Sequence, residues 1–312
     1  MPIFELMIGI LAFIFGILVL IYSSDKAVEH SISIASARRV SPFMIGLLLV
    51  SIGTDLPEIA NSITSCALGH ADINVGDSLG SAMTQMTLIL GLLPLIGGIF
   101  KVKRKEIIIT GVCLILALIL AFSVAEKGYF TRINALFLVT SWILFMLITR
   151  TVTRTEPAVP SGGDSKTLYH LVIAILGYIG VAVGAYIMVQ SVIVLSEVFR
   201  IHEYIVSFFL VAIGTSLPEL FVDLTAIRKK QYELAIGDIV GSSIVDASIS
   251  IGIGPLLFSP QRISGEFVRT TGLYAILASI IVILTLALRE KVDRKTGILF
   301  IIVYLLSYTL LY

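Results

Sequence analysis

Ten apolar stretches leave this chain few ways to fold. They lie near residues 4–22, 42–68, 74–99, 107–124, 133–149, 168–196, 204–227, 234–258, 268–288 and 296–312. A helix needs about 20 mostly apolar residues to cross the hydrocarbon core of a bilayer. Hydrophobic residues make up 57% of the 312 and charged residues only 14%, and the mean hydropathy is +1.02. A water-soluble domain has no interior large enough to hide that much apolar surface. The expectation is an all-α integral membrane protein with ten transmembrane helices, multi-pass in the cell membrane. The first apolar run starts without a basic segment or a clear small-residue cleavage site, so it reads as a retained span. Cys66 and Cys113 lie in or beside apolar runs and read as buried thiols. A net charge of +1 and one short basic cluster at 101–105 give no footing for nucleic acid; the surroundings are membrane lipid.

Charge sets the orientation. Of the 22 Lys and Arg residues, 17 fall in the loops after spans 1, 3, 5, 7 and 9, and 5 fall around the loops after the even spans. By the positive-inside rule the odd loops are cytoplasmic and both termini are extracellular. The longest polar break, RTVTRTEPAVPSGGDSK at 150–166, has the composition of a linker. It divides the chain into a first unit at 1–150, a cytoplasmic linker at 151–166 and a second unit at 167–312.

The two units repeat one another. A shift of 161 residues lays Gly53, Thr54, Leu56, Pro57 and Glu58 on Gly214, Thr215, Leu217, Pro218 and Glu219. The same shift lays Gly76, Asp77, Gly80 and Ser81 on Gly237, Asp238, Gly241 and Ser242, and Gly91 and Pro94 on Gly252 and Pro255. Five spans is an odd number, so the expected arrangement is two inverted five-helix repeats. Paired short motifs at matching places in inverted halves point to a binding site near the bilayer midplane.

The motif chemistry is that of a cation site. Pro57 and Pro218 each remove a backbone donor and crowd the carbonyl four residues earlier, and freed carbonyls in a membrane must face protein, water or an ion. Ser51, Thr54 and Glu58 share one helix face, as do Asp77, Ser81 and Gln85, and Asp238, Ser242 and Asp246. An ionised carboxylate at membrane depth costs about 2.5–3.5 kcal/mol, and Asp55, Glu58, Glu219 and Asp246 have no Lys or Arg in their spans. The partner is then a soluble cation. Carboxylates, hydroxyls, an amide and carbonyls are hard oxygen ligands suited to Ca²⁺ and Na⁺, and no His or Cys cluster suggests zinc or copper. Other polar positions have plainer readings. Asp77 and Asp238 stand near span starts, where N-terminal capping is as open a reading as ion contact, Gly80 and Gly241 serve either close helix packing or the site, and Asp223 is left outside the site. His70, His170 and His202 sit near span ends, where solvation is expected.

GTDLPE and GTSLPE, each followed by a GDxxGS segment, resemble the two alpha-repeats of the cation/calcium exchanger superfamily, in particular its compact prokaryotic sodium/calcium exchangers. The superfamily includes Na⁺/Ca²⁺ and H⁺/Ca²⁺ exchangers. The resemblance covers nearly the whole chain. It implies a bundle of spans 2, 3, 7 and 8 around the site, with long tilted spans 1 and 6 beside it. It implies central carboxylates at Glu58 and Glu219, with Thr54 and Thr215 as carbonyl or hydroxyl ligands and Ser51 and Ala212 as carbonyl donors. Ser81 and Ser242 fall on hydroxyl ligands, and Gln85 and Asp246 flank the centre. Two departures bear on the coupling ion. Asp55 stands where the sodium-coupled pattern has a small residue such as Ser, which the second repeat keeps as Ser216, and Gln85 stands where Asn is common.

The function so implied is secondary antiport, Ca²⁺ exchanged for Na⁺ by alternating access, in a monomer that needs no cofactor. The alternative is H⁺/Ca²⁺ exchange, or exchange involving a further cation. A cation channel has no need of two inverted broken-helix halves. An intramembrane aspartyl protease built on Asp77 and Asp238 needs a GxGD context, whereas the chain reads NVGD and AIGD. No nucleophile–base pair suggests an enzyme.

Overall fold

The structure is a computed structural model that describes residues 2–38, 41–152, 167–196 and 203–311. The first half comprises α1 (Pro2–Arg38), α2 (Pro42–Thr54), α3 (Leu56–Leu68), α4 (Ala71–Ile96), α5 (Arg104–Ala125) and α6 (Arg132–Val152). The second comprises α7 (Thr167–Ser196), α8 (Glu203–Val206 running on through Ser207–Thr215), α9 (Leu217–Arg228), α10 (Tyr232–Leu257), α11 (Gly265–Arg289) and α12 (Arg294–Leu306). By length and composition α4, α5, α6, α10 and α11 can each cross a membrane, as can α2 with α3 and α8 with α9 if each bent pair counts as one span. The helix α6 reaches Val152, two residues past the expected end of the first unit. The rest of the expected linker, 153–166, lies outside the described residues.

Two expected spans are broken helices. The chain bends by 42° between α2 and α3, and by the same angle between α8 and α9. Asp55 (φ −76°, ψ 5°) and Ser216 (φ −82°, ψ 5°) leave helical geometry at the two breaks. Pro57 and Pro218 then sit in the first turn of the helix that follows, where a missing N–H costs nothing. Among the described residues each half also carries two wide π turns, at Gly46–Val50 and Gln85–Ile89, and at Ser207–Val211 and Asp246–Ser250. These keep the 161-residue register and gave no sign in the sequence. Those of α2 and α8 fall where another backbone approaches closely. A Cβ on Gly80 would strike the Phe208 carbonyl in the π turn of α8, and one on Gly241 would strike the Leu47 carbonyl in the π turn of α2. Glycine lets α4 lie on α8, and α10 on α2, at backbone distance, so the packing reading of both glycines holds.

Burial separates inside from outside. In α10, 94% of the apolar window is buried within the protein, and 78% in α4, against 33% in α6. The exposed faces of α5, α6, α7, α11 and α12 carry Leu, Ile and Phe, as a lipid-facing surface does. Helices α1 and α7 pack along one another. At 1.5 Å per residue they are about 55 and 45 Å long, more than an upright span requires. The apolar run of α1 was expected to end near residue 22, but the helix continues to Arg38. Its polar extension is held by protein contacts: Ser31 Oγ lies 2.7 Å from Tyr178 Oη, His30 Nδ1 lies 2.7 Å from His170 Nδ1, and Asp25 pairs with Lys229 at 2.7 Å. His170 is therefore paired rather than simply solvated. Both cysteines are free and buried.

Short antiparallel ladders tie the loops together. β1 (Phe100–Lys101) pairs with β4 (Lys291–Val292), and β2 (Tyr129–Phe130) pairs with β3 (Gln261–Arg262). Other loop contacts sort the same way. Lys103 bridges to Glu233 at 2.6 Å on the side of β1. Asp72 accepts the backbone N–H of Ser264 at 2.6 Å and its hydroxyl at 2.7 Å on the side of β2.

Candidate ion-binding site

The two helix breaks face one another inside the bundle. Asp55, at the first break, and Glu58 and Glu219, one turn into α3 and α9, each present a carboxylate oxygen within 4.8 Å of the others. All three side chains are buried, and all six of their carboxylate oxygens lack a hydrogen-bond partner. Such a cluster is costly when ionised in a membrane interior unless cations neutralise it. Asp55 is thus a member of the central cluster rather than a residue at its edge. Its counterpart Ser216 is also buried, with a hydroxyl that has no partner.

Threonine and serine hydroxyls cross-link the two halves. Thr54 Oγ1 lies 3.2 Å from Ser242 Oγ, and Thr215 Oγ1 lies 3.2 Å from Ser81 Oγ. Both threonines also reach back to the preceding turn: Thr54 donates to the Ser51 carbonyl at 3.2 Å, and Thr215 to the Ala212 carbonyl at 3.4 Å. Those carbonyls accept the amide N–H of Asp55 at 3.0 Å and of Ser216 at 3.1 Å. A carbonyl has two lone pairs, so Ser51 and Ala212 can face an ion once the threonine hydroxyl turns to its serine partner. The Ser51 hydroxyl is occupied by the Leu47 carbonyl at 2.8 Å.

Gln85 and Asp246, equivalent in the two repeats, meet directly. Gln85 Nε2 donates to Asp246 Oδ2 at 3.0 Å, while Ser243 Oγ donates to Gln85 Oε1 at 2.9 Å. This chain fixes the amide orientation and leaves Asp246 Oδ1 without a partner. Ser243 was not singled out in the sequence, because its counterpart is Ala82 and the repeat register hides it.

Asp77 and Asp238 are not caps. His70 and Gln231 hold the N-cap positions of α4 and α10, and both aspartates lie nearly two turns further in, buried. Asp77 accepts from Asn61 Nδ2 at 2.5 Å, Thr215 Oγ1 at 2.9 Å and Ser81 Oγ at 3.4 Å. Among the described residues Asp238 accepts from Ser242 Oγ at 3.4 Å on Oδ1, and no donor reaches its Oδ2. The capping reading fails because α4 and α10 begin three and two residues before their apolar runs, which leaves the aspartates beyond the first turn.

The structure thus joins Asp55, Glu58 and Glu219 in one buried cluster and pairs Thr54 with Ser242, Thr215 with Ser81 and Gln85 with Asp246. These side chains offer carboxylate, hydroxyl and amide oxygens, the kind that hard cations take.

The family model described as sodium/calcium exchanger protein matches residues 8–150 and 169–312. An uncharacterized membrane protein of Methanocaldococcus jannaschii is 32% identical over 308 residues, covering 97% of both chains. The sodium/calcium exchanger MaX1 of Methanosarcina acetivorans is 26% identical over 343 residues, covering 95% of this chain and 96% of that one. A structure of the sodium-calcium exchanger NCX_Mj soaked with 2.5 mM Na⁺ and 10 mM Sr²⁺ superposes with a TM-score of 0.79 at 29% identity, covering 97% of this chain and 99% of the other.

Proposed function

The chain belongs to the sodium/calcium exchanger family, and on that premise we propose that it is an antiporter that exchanges Ca²⁺ for Na⁺ across a cell membrane by alternating access. The observation that carries this reading is the cluster of Asp55, Glu58 and Glu219, buried and without donors at the junction of two broken helices. Three negative charges without a protein cation suit one divalent ion with a further monovalent ion, or several monovalent ions. Broken helices suit alternate opening, because each half-helix can tilt without unmaking a continuous ladder of hydrogen bonds. The ligands are Glu58 and Glu219 at the centre, with Asp55, Ser216, Thr54, Thr215, Ser81, Ser242 and the Ser51 and Ala212 carbonyls around them. Gln85 and Asp246 flank them. The transported ions are the only small-molecule partners, and one monomer contains the whole site.

The architecture belonging to this reading is ten spans in two inverted repeats, 1–150 and 167–312, with a cytoplasmic linker at 151–166 and extracellular termini. The strand ladders support it. In the repeat register β1 corresponds to β3, and β2 corresponds to β4 within two residues, so the operation relating the halves exchanges ladder β1–β4 with ladder β2–β3. The 22-residue helix α5 separates β1 from β2, about 33 Å and one membrane crossing. An operation that swaps these ladders swaps the membrane faces. Lysines at 101, 103 and 291 support a cytoplasmic β1–β4 side.

Asp55 favours a second reading, with H⁺ or a further cation as coupling ion, since it adds a charge where the other repeat has Ser216. Uptake of radioactive calcium into vesicles containing the purified protein tests both. Uptake driven by an outward Na⁺ gradient supports the first reading. Uptake driven only by a pH gradient or by a gradient of another monovalent cation such as K⁺ replaces it with the second, and no uptake under any of these gradients refutes both.

A further inference from the structure

We propose that Asp223 and Asp238 form a second cation site, separate from the central cluster, that takes a divalent ion of the Ca²⁺ class. Asp223 lies on α9 one turn beyond Glu219, and α9 packs against α10, which carries Asp238. Both residues are 0% exposed. Their carboxyl groups interact with each other. Neither Asp223 oxygen has a hydrogen-bond partner, and Asp238 Oδ2 has none. Two ionised carboxylates offer each other no donor.

The other repeat shows what a satisfied version looks like. There Asp77, the counterpart of Asp238, accepts from Asn61 at 2.5 Å. In the second repeat Val222 replaces that asparagine, and Asp223 replaces Ser62. An amide donor and a hydroxyl give way to an apolar side chain and a second acid. The exchange removes a donor from one buried carboxylate and adds another that needs one. A divalent cation satisfies both, since two carboxylates carry its opposite charge and oxygen is its preferred ligand atom. The Ser242 hydroxyl, 3.4 Å from Asp238 Oδ1, ties this site to the ligand shell of the first.

In the proposed topology the pair lies between Glu219 and the cytoplasmic end of α9, which finishes at Arg228. Helix α1 covers it there through Ser24, 3.5 Å from Thr225 Oγ1, and through the Asp25–Lys229 pair. An ion held here stands on the cytoplasmic approach to the centre. The existence of the site does not depend on the exchange reading; only its side of the membrane does.

Equilibrium binding of radioactive calcium to the purified protein in Na⁺-free solution tests the proposal. Three variants are compared with wild type: Val222→Asn with Asp223→Ser, which installs the residues of the first repeat; Glu58→Gln with Glu219→Gln; and all four changes together. The expected result is one Ca²⁺ fewer per protein in the first variant. The second should retain one Ca²⁺, which the four-fold variant loses. Equal stoichiometry in wild type and the first variant overturns the proposal, as does loss of all binding in the second. Asp223→Asn, nearly the shape of the native residue, makes the same comparison if the Val222→Asn variant is not monodisperse. Loss of Na⁺-driven uptake in wild-type vesicles would count against the exchange reading while leaving this count unchanged.

Discussion

Replacing Asp55 by Ser gives the first repeat the residue of the second and removes one of three clustered charges. Its effect on ion choice follows from Coulomb's law. In the ion-free site the closest oxygens of Asp55, Glu58 and Glu219 lie within 4.8 Å of one another. At an effective dielectric constant of about 20, each such pair repels by about 3.5 kcal/mol. Losing Asp55 relieves that repulsion equally whichever ion binds afterwards. The lost attraction is unequal: at a contact of about 2.4 Å it is about 14 kcal/mol for a divalent ion and about 7 kcal/mol for a monovalent one. The difference, about 7 kcal/mol, is an upper bound, because water and neighbouring groups relax into the space. A quarter of it, about 1.8 kcal/mol, still exceeds a tenfold change in relative affinity. Asp55→Ser should therefore raise the KM for Ca²⁺ at least tenfold relative to the half-inhibitory Na⁺ concentration. It should also flatten the pH dependence of Ca²⁺ uptake, because one proton-binding competitor is gone. The assay is Ca²⁺ uptake in vesicles across a range of Na⁺ concentrations at several pH values. Superimposable curves for wild type and variant would refute the charge argument and reduce Asp55 to a bystander.

Further outcomes follow from other contacts. Glu58→Gln or Glu219→Gln should abolish Ca²⁺ transport while thermal unfolding in detergent changes little, since the amide keeps the shape and loses the charge; normal exchange by either variant would overturn the site. Gln85→Leu should weaken transport by at least several-fold, because Asp246 loses its amide donor and Ser243 its acceptor; unchanged kinetics would show that this network is idle. Gly80→Ala drives a Cβ into the Phe208 carbonyl and should destabilise the fold by about 1–3 kcal/mol, as overpacking does, seen as a lower unfolding temperature. Asp293 caps α12 through the Thr296 backbone N–H, which with Arg289 holds its carboxyl at about 2. The unfolded chain titrates near 3.9, so the stability this group adds is full above about pH 4 and is lost as pH falls toward about 2. Asp293→Ala should remove that acid limb and about 1 kcal/mol at neutral pH.

The register of 161 residues was legible because the Gly, Pro and acidic positions it relates are constrained on both sides. It brought Glu58 and Glu219 together before any coordinates did, and it located both helix breaks through Pro57 and Pro218. Other features were hidden for physical reasons. A π turn needs no particular side chain, only one extra residue in a turn, so Gly46–Val50 and Asp246–Ser250 look like ordinary helix. The helical extension of α1 past residue 22 lacks the hydrophobicity of a span because it packs on protein rather than lipid. Asp77 resembled a cap because an apolar run marks where lipid begins, whereas a helix begins where its first hydrogen bonds can form. Asn61 carried no signal without Asp77 opposite it.

The differences between the repeats carry the asymmetry that a symmetric site would lack. Asp55 faces Ser216 across the register, and Val222 and Asp223 replace Asn61 and Ser62. In the proposed topology, Asp55, Asp223 and Asp238 all lie toward the cytoplasm from the central glutamates, whereas the outward side has Asp77 already supplied with three donors. A cation leaving inward therefore passes the acids Asp223 and Asp238, and one leaving outward passes Asp77, whose charge is already hydrogen-bonded by three donors. The cytoplasmic-facing state should accordingly hold divalent ions more tightly than the outward-facing state, as export of Ca²⁺ against its gradient requires at the loading step. Apparent Ca²⁺ affinity measured separately from each side of oriented vesicles decides the point. The Val222→Asn, Asp223→Ser variant should narrow the difference by raising the cytoplasmic KM alone, and an equal rise on both faces would contradict the assignment of these residues to one side.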